Sequence, residues 1–363
     1  MTGLRALGPR QSIAIAGGGL IGLSIAWRLA QAGFDVSLFD QSAIGGEASW
    51  AGAGMLALGG EFDPPSALAE LFVESRREYK SFVEELRTAS EAAIDYQECG
   101  GLDLAYDARQ WEELQARAKR QATFGIDAKV LDPAKVAAFW PRVRIDGLAG
   151  ALFYPDDAIV NPRDLVASLS SACQRSKVEL QPNHRVARAQ IMDRGVNLDI
   201  GSSTRRFSAL VIAAGAWSSS IEVRNVPPPP LSEPVKGHLI GYRQPEQTCS
   251  TIIRHGHAYL LQRANGLLIA GASLERTGWD RSIQPAIAAR LAEQASFVLP
   301  HLSETDPSEV WTGFRPASDN LQIGPWHSNR LFLAYGHYRN GILLAPATAR
   351  RLVREISASL RMQ

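Results

Sequence analysis

Hydrophobic positions along this chain follow two periods, and the places where one gives way to the other outline its elements. Ser12–Ala16 is a short apolar run. Leu20–Ala32 then repeats apolar residues at helical spacing, and Val36–Phe39 is a second short run. The pattern predicts strand, tight turn, helix and strand. Residues 66–88 place Leu68, Leu71, Phe72, Tyr79, Phe82, Val83 and Leu86 on one helical face, with Glu, Arg and Lys between them. This is the signature of an amphipathic core helix. Further helices are expected over Ala108–Thr123 and over Asn161–Ser176, the latter with Asn161 as cap and Pro162 at its first position. Ala209–Ala213 is continuously apolar, as a central buried strand would be, and it runs into Ala214-Gly215-Ala216-Trp217. Pro227–Pro230 reads as a stiff domain crossing. HAYLLQR and GLLIAGAS flank Ala264-Asn265-Gly266, a hairpin signal that predicts an antiparallel sheet. A last helix is expected from about Gly341, with Pro346 accommodated near its first turn.

The turn after the first strand carries chemistry. Gly17, Gly19 and Gly22 spell G-x-G-x-x-G, and Asp40 stands eighteen residues past Gly22 at the end of the second strand. Each has a job in a dinucleotide site: Gly17 for the turn, Gly19 for approach of backbone to a pyrophosphate, Gly22 for helix–strand packing, and Asp40 as acceptor for a ribose. The helix N-terminus adds unpaired N–H groups and the positive end of its dipole. The motif leaves NAD and FAD equally open. Ser42–Leu56 (SAIGGEASWAGAGML) is crowded with small residues. It suits backbone lying against backbone or a flat ligand, or a plain glycine-rich linker.

At 363 residues the chain is long enough for two domains. Lys plus Arg number 38 and Asp plus Glu 37, a balance that gives nucleic acid or a membrane surface no electrostatic hold. Cys99, Cys173 and Cys249 are far apart and odd in number, which argues against a disulfide framework or a zinc site. His257 and His337 lack partners at metal-ligand spacing, so no metal is expected. The first ten residues read as a loose tail without a secretory apolar core, and no eighteen-residue apolar run occurs. A soluble cytoplasmic enzyme is expected.

Several longer segments decide more. GGEASWAGAGML (45–56), EPVKGH (233–238), HAYLLQR (257–263), WTGFRPASDNLQIGP (311–325) and GHYRNGILLAPAT (336–348) resemble the glycine oxidase branch of the D-amino-acid oxidase family of flavoproteins, from about Ser12 to Ser357. The resemblance implies an α/β fold: a Rossmann-like FAD-binding domain with a second antiparallel-sheet substrate domain. The first would comprise residues 1–51, 70–91, 159–230 and 314–363, the second 52–69, 92–158 and 231–313. It implies non-covalent FAD, since related enzymes that attach flavin use a cysteine in the C-terminal third and all three cysteines here lie before residue 250. Implied flavin contacts, besides the glycines, are Leu20, Ile21, Asp40, Gln41, Ala48, Ser49, Ala53, Gly54, Met55 and Val186, with His337, Tyr338, Arg339, Asn340, Gly341, Ile342 and Leu343. Ala48 replaces a hydroxyl residue of the family, which leaves Ser49 to make the phosphate contact alone. A helix starting near Gly341 would also aim its positive end at the negative charge of a reduced flavin.

The substrate-side residues implied by the resemblance are Arg315, Tyr259 and Arg339. A guanidinium fork matches a carboxylate, although a lone arginine is more often neutralised by the protein itself. Tyr259 would add a hydrogen bond or serve as an amphipathic core residue; Arg339 would contact substrate or hold the flavin edge. Leu274 and Arg254 depart from the family pattern near the expected pocket. Arg254 is either a second cation at the mouth or a solvated surface residue. No Ser/His/Asp or Cys/His arrangement stands in a recognisable context, which fits chemistry that needs orientation more than a protein base. The expected reaction oxidises a small amino acid, glycine first, then sarcosine or small D-amino acids, to the imine and 2-oxo acid. Molecular oxygen would be the acceptor and hydrogen peroxide the product, with a role in the thiazole branch of thiamine synthesis and a homo-tetramer by family resemblance. A broader D-amino-acid oxidase, a dehydrogenase with another acceptor and a non-catalytic FAD-binding protein are the alternatives.

Overall fold

The computed structural model describes residues 11–60 and 66–361; the tail expected over residues 1–10 lies outside them. Ser12–Ala16 stands in the middle of a six-stranded sheet. Its parallel neighbours are Asp35–Phe39 and Ala209–Ile212. Glu179–Gln181 and Leu331–Tyr335 extend the sheet in parallel, and Gln322–Pro325 closes one edge antiparallel. All of Ala209–Ile212 is fully buried. A parallel strand covered on both faces has no polar side to show, hence its unbroken apolar run.

The helices on this side are α1 (Leu20–Gln31), α2 (Ser66–Ser90), α4 (Pro162–Arg175) and α5 (Gly341–Arg361), while α3 (Ala108–Ala122) packs on Gly101–Ala105 and Gly150–Tyr154 of the second sheet. Both α1 and α2 pack against α4 and α5. Trp27 of α1 meets Phe82 of α2 edge-on at 5.8 Å, each ring about fully buried. The expected cap of α4 is present: Asn161 Oδ1 accepts the Arg163 N–H at 3.2 Å, and Pro162 opens the helix. In α5, Pro346 stands inside the helix rather than in its first turn. No helix among the described residues is long and apolar enough to cross a membrane.

A second sheet has eight strands. It contains the expected hairpin Ala258–Gln262/Leu267–Gly271, closed by Gly266 at φ +81° and by Asn265 Oδ1, which accepts the Leu267 N–H. Neighbours are antiparallel except Ile252–His255 beside Gly101–Ala105, which is parallel. Glu309–Ala317 pairs with Glu233–Arg243 through its last residue. Arg315 is therefore part of this sheet, and the division expected before residue 314 falls inside a strand.

Candidate active site

Both sheets line one cavity of about 640 Å³. At one end is the glycine turn. Gly17 has φ +115°, and a Cβ there would sit 2.3 Å from the Ala213 carbonyl oxygen. At Gly22 a Cβ would lie 1.9 Å from the Gly17 oxygen, so Gly22 lets α1 pack on its strand and does not line the cavity. Gly19 is less crowded by the protein: its nearest neighbour would be Ser49 Oγ at 3.1 Å. Two of the three glycines thus serve the backbone, and the third leaves room on the cavity side. Asp40 locks the turn, its Oδ2 accepting the Gly18 N–H at 2.7 Å and its Oδ1 the Ser42 N–H at 2.8 Å. Ser49 Oγ accepts the Leu20 N–H at 2.9 Å, the first of α1.

The small-residue segment 42–56 lies against backbone, as one of its two readings expects. A Cβ on Gly54 would stand 1.9 Å from the Val160 oxygen, and Gly54 has φ +105°. Two residues not foreseen from sequence hold this segment: Trp311 Nε1 donates to the Ala51 carbonyl at 2.9 Å, and Arg263 donates to those of Gly52 and Ala53 at 3.0 and 3.2 Å. In sequence Trp311 stands in a strand and Arg263 at the start of the hairpin turn, and neither place marks such a role. Gln41, Ala48, Ala53, Met55 and Val186 all line the cavity.

At the other end is the N-terminus of α5. Gly336 (φ +81°) and Tyr338 (φ +49°) bend the chain sharply before it, and the Tyr338 N–H donates to the Pro316 carbonyl at 3.1 Å. His337, Tyr338, Arg339, Asn340, Gly341 and Ile342 line the cavity; Leu343 does not, because its side chain points into the core. His337 is 4% exposed and its Nε2 lies 3.0 Å from Thr348 Oγ1. Burial pushes its imidazole down to about 3, so it is neutral and adds no charge to the site.

That shift carries a stability prediction. The unfolded chain takes up a proton on this histidine below its ordinary value while the folded chain does not, so stability is lost as pH falls. Between pH 6.5 and 5.5 the loss from this one group is about 1 kcal/mol. Urea unfolding across that range should show His337→Asn with a shallower pH slope than the unaltered protein; identical slopes would refute the assignment.

Arg315 and Tyr259, on strands of the second sheet, and Arg339, just before α5, all line the same cavity. Arg315 Nη1 donates to the Ser273 carbonyl at 3.0 Å and lies 3.4 Å from that of Lys236. Gly237 gives it space, since a Cβ there would come within 2.4 Å of the guanidinium. Tyr259 is buried opposite Gly271, where a Cβ would crowd the phenol oxygen at 2.8 Å. Arg339 is exposed at the rim.

Behind Arg315 is a buried polar cluster that sequence did not suggest. Lys236, fully buried, donates to Asp280 at 3.0 Å and to the Ser282 carbonyl at 2.8 Å. Glu275 Oε1 accepts both from Ser273 Oγ at 2.6 Å and from His238 Nδ1 at 2.7 Å, while His238 Nε2 accepts the Gln284 N–H at 3.0 Å. Serine and histidine are brought together here, but both spend their hydrogens on the carboxylate. The cluster fixes the strands whose carbonyls hold Arg315 and leaves no activated nucleophile.

Two expectations are corrected. Arg254 is neither at the mouth nor on the surface: it is 7% exposed and pairs with Asp103 and, at 2.8 Å, with Asp157. Burial alone would lower its pKa, but the two carboxylates hold it above the ordinary arginine value. Leu274 is 57% exposed and lies outside the cavity lining.

The sequence matches the profile of the FAD dependent oxidoreductases (DAO) over residues 12–355. The chain belongs to that family. Glycine oxidase of Geobacillus kaustophilus (strain HTA426) is 31% identical over 343 residues, covering 93% of this chain and 91% of the relative. The bifunctional protein ThiO/ThiG of Synechocystis is 31% identical over 93% of this chain and 50% of its own length. The crystal structure of the Geobacillus kaustophilus glycine oxidase superposes with a TM-score of 0.89 at 29% identity, covering 96% of this chain and 95% of that one. The cofactor is FAD. The flavoenzyme's own geometry suits it: a long cavity, a turn free of Cβ atoms at Gly17 and Gly19, an adjacent carboxylate in Asp40, and helix N-termini at both ends.

Proposed function

We propose that this flavoenzyme is an amino-acid oxidase acting on a small substrate, with glycine the first to test and sarcosine or small D-amino acids next. The observation that carries the reading is Arg315: a guanidinium braced by two carbonyls that lines the same cavity as Tyr259 and the α5 N-terminus. In this proposal the glycine turn, Asp40 and Ser49 hold the pyrophosphate and ribose half of FAD. Segment 48–55, Val186 and residues 337–342 surround the ring. FAD, when bound, supplies the two-electron oxidation of the substrate's carbon–nitrogen bond and hands the electrons to oxygen.

The protein's part is orientation. Arg315 presents a planar pair of N–H donors to the substrate carboxylate, and the Tyr259 hydroxyl adds a third. Exclusion of water by the buried walls strengthens both contacts. The α5 N-terminus favours negative charge nearby, and a neutral His337 leaves that task to backbone N–H groups. None of the three cysteines lines the cavity, which supports non-covalent binding. Similarity to half of a ThiO/ThiG protein supports a place in thiamine thiazole synthesis.

The test is a visible spectrum of the purified protein, then anaerobic titration with glycine, sarcosine, D-alanine and D-proline. Bleaching by glycine and peroxide release on readmitting air are expected. A kcat/KM for D-alanine far above that for glycine would reassign the substrate. Turnover only with an artificial acceptor would make it a dehydrogenase, and a flavin that no amino acid reduces would end the reading.

A further inference from the structure

Pro346 has no N–H to give the Ile342 carbonyl, so the α5 ladder lacks one rung just behind its cavity-lining first turn. The repair comes from α2. Tyr79 Oη donates to the Ile342 carbonyl at 3.2 Å, in the place of the missing proline hydrogen. At the next rung, Ser75 Oγ donates to the Leu343 carbonyl at 2.6 Å and accepts the Ala347 N–H at 3.3 Å. A hydroxyl is thus inserted between two helix residues that would otherwise bond to each other. Ser75 and Tyr79 are four apart on one face of α2, and both are fully buried. Burial also raises the Tyr79 phenol above its usual range, which keeps it a donor.

We propose that Ser75 and Tyr79 are positioning residues that set the direction of the first turn of α5, and with it the N–H groups of Gly341 and Ile342 against the flavin ring. The inference rests on the reading that the ring lies at this end of the cavity. A first turn that lacks one rung to the helix behind it is held less firmly by its own backbone. Here three hydrogen bonds with α2, two donated by its hydroxyls and one accepted, hold it in place. Neither residue itself lines the cavity; Tyr79 reaches the lining through the Ile342 carbonyl, and Ser75 bonds the Leu343 carbonyl just behind it.

The test uses holoenzyme variants Ser75→Ala, Tyr79→Phe and Ser75→Thr. Sulfite is the probe: its sulfur lone pair forms a bond to flavin N5, and the added electron pair leaves negative charge on the ring, which an aligned helix N-terminus stabilises. Ser75→Ala should weaken sulfite binding about tenfold, the size of one buried hydrogen bond, and lower the flavin midpoint potential. Tyr79→Phe, which keeps the ring volume, should move both readings in the same direction. Ser75→Thr, which keeps the hydroxyl, should return towards the unaltered enzyme. Sulfite affinity within twofold and an unchanged potential in both Ser75→Ala and Tyr79→Phe would overturn the proposal. If Ser75→Ala does not fold, Tyr79→Phe decides alone, and if sulfite binds none of the proteins the potential decides. An unaltered protein that takes up no FAD would instead refute the cofactor reading beneath it.

Discussion

Arg315→Ala lowers kcat/KM for the amino-acid substrate by about three orders of magnitude, almost all of it in KM, while FAD stays bound. Two charge-assisted hydrogen bonds to a carboxylate are worth about 1.5–3 kcal/mol each, so losing both costs about 3–6 kcal/mol. The loss falls on KM because the carboxylate is held alike before and during the reaction. Arg315→Lys should recover part of it, since a point charge replaces the fork without its second N–H. FAD content should not change, because this side chain rests on the carbonyls of Ser273 and Lys236 in the second sheet, away from the glycine turn. Steady-state kinetics with flavin absorbance on the same samples checks both halves. A kcat/KM within tenfold of the unaltered enzyme would remove Arg315 from the substrate site.

Asp103→Ala is the largest expected loss of stability, about 3–5 kcal/mol, because it strands a buried guanidinium. Asp103 pairs with Arg254 and with Arg117, and Asp157 completes the cluster while its Oδ1 accepts the Leu58 and Gly59 N–H groups. Burial raises the Asp157 carboxyl above its ordinary value, so a single remaining carboxylate is a poor counter-ion. The glycines around the cluster make room for it: a Cβ at Gly101 would lie 2.2 Å from Asp157 Oδ2, and one at Gly60 2.8 Å from Arg254 Cδ. Removing the arginine as well, in Asp103→Ala/Arg254→Met, should restore part of the stability, because no uncompensated cation then remains. Urea midpoints for the three proteins measure this. If Asp103→Ala unfolds at the midpoint of the unaltered protein, or the double variant is weaker than the sum of its parts, the cluster does not act as described.

Much of the candidate site was legible because its signals are local. The glycine turn, Asp40 and α1 lie within one strand–helix–strand unit, and their spacing follows from backbone geometry. GFRP and GHYRNG stand out as residue runs, and the structure brings them to one cavity. Arg254 was misjudged for the opposite reason. Its partners Asp103 and Asp157 are 151 and 97 residues away, and no pattern around Ile252–His255 announces a buried cation. Pro346 was misplaced likewise, since the residues that make it tolerable lie in α2.

By itself, then, the sequence determined whatever depends on a residue and its nearest few neighbours. These are the strand-turn-helix order, the cap at Asn161, the Asn265-Gly266 hairpin, and the unbroken apolar strand at Ala209–Ile212. Such features follow from allowed backbone angles and from the period of apolar positions. Only the tertiary structure decided which charges are buried and which are solvated. It set Arg254 inside a carboxylate cluster, put Leu274 in solvent, and joined Ser75 to a carbonyl 268 residues away. The cost of desolvating a polar group depends on what packs around it in space, and that is not written in the residues beside it in the chain.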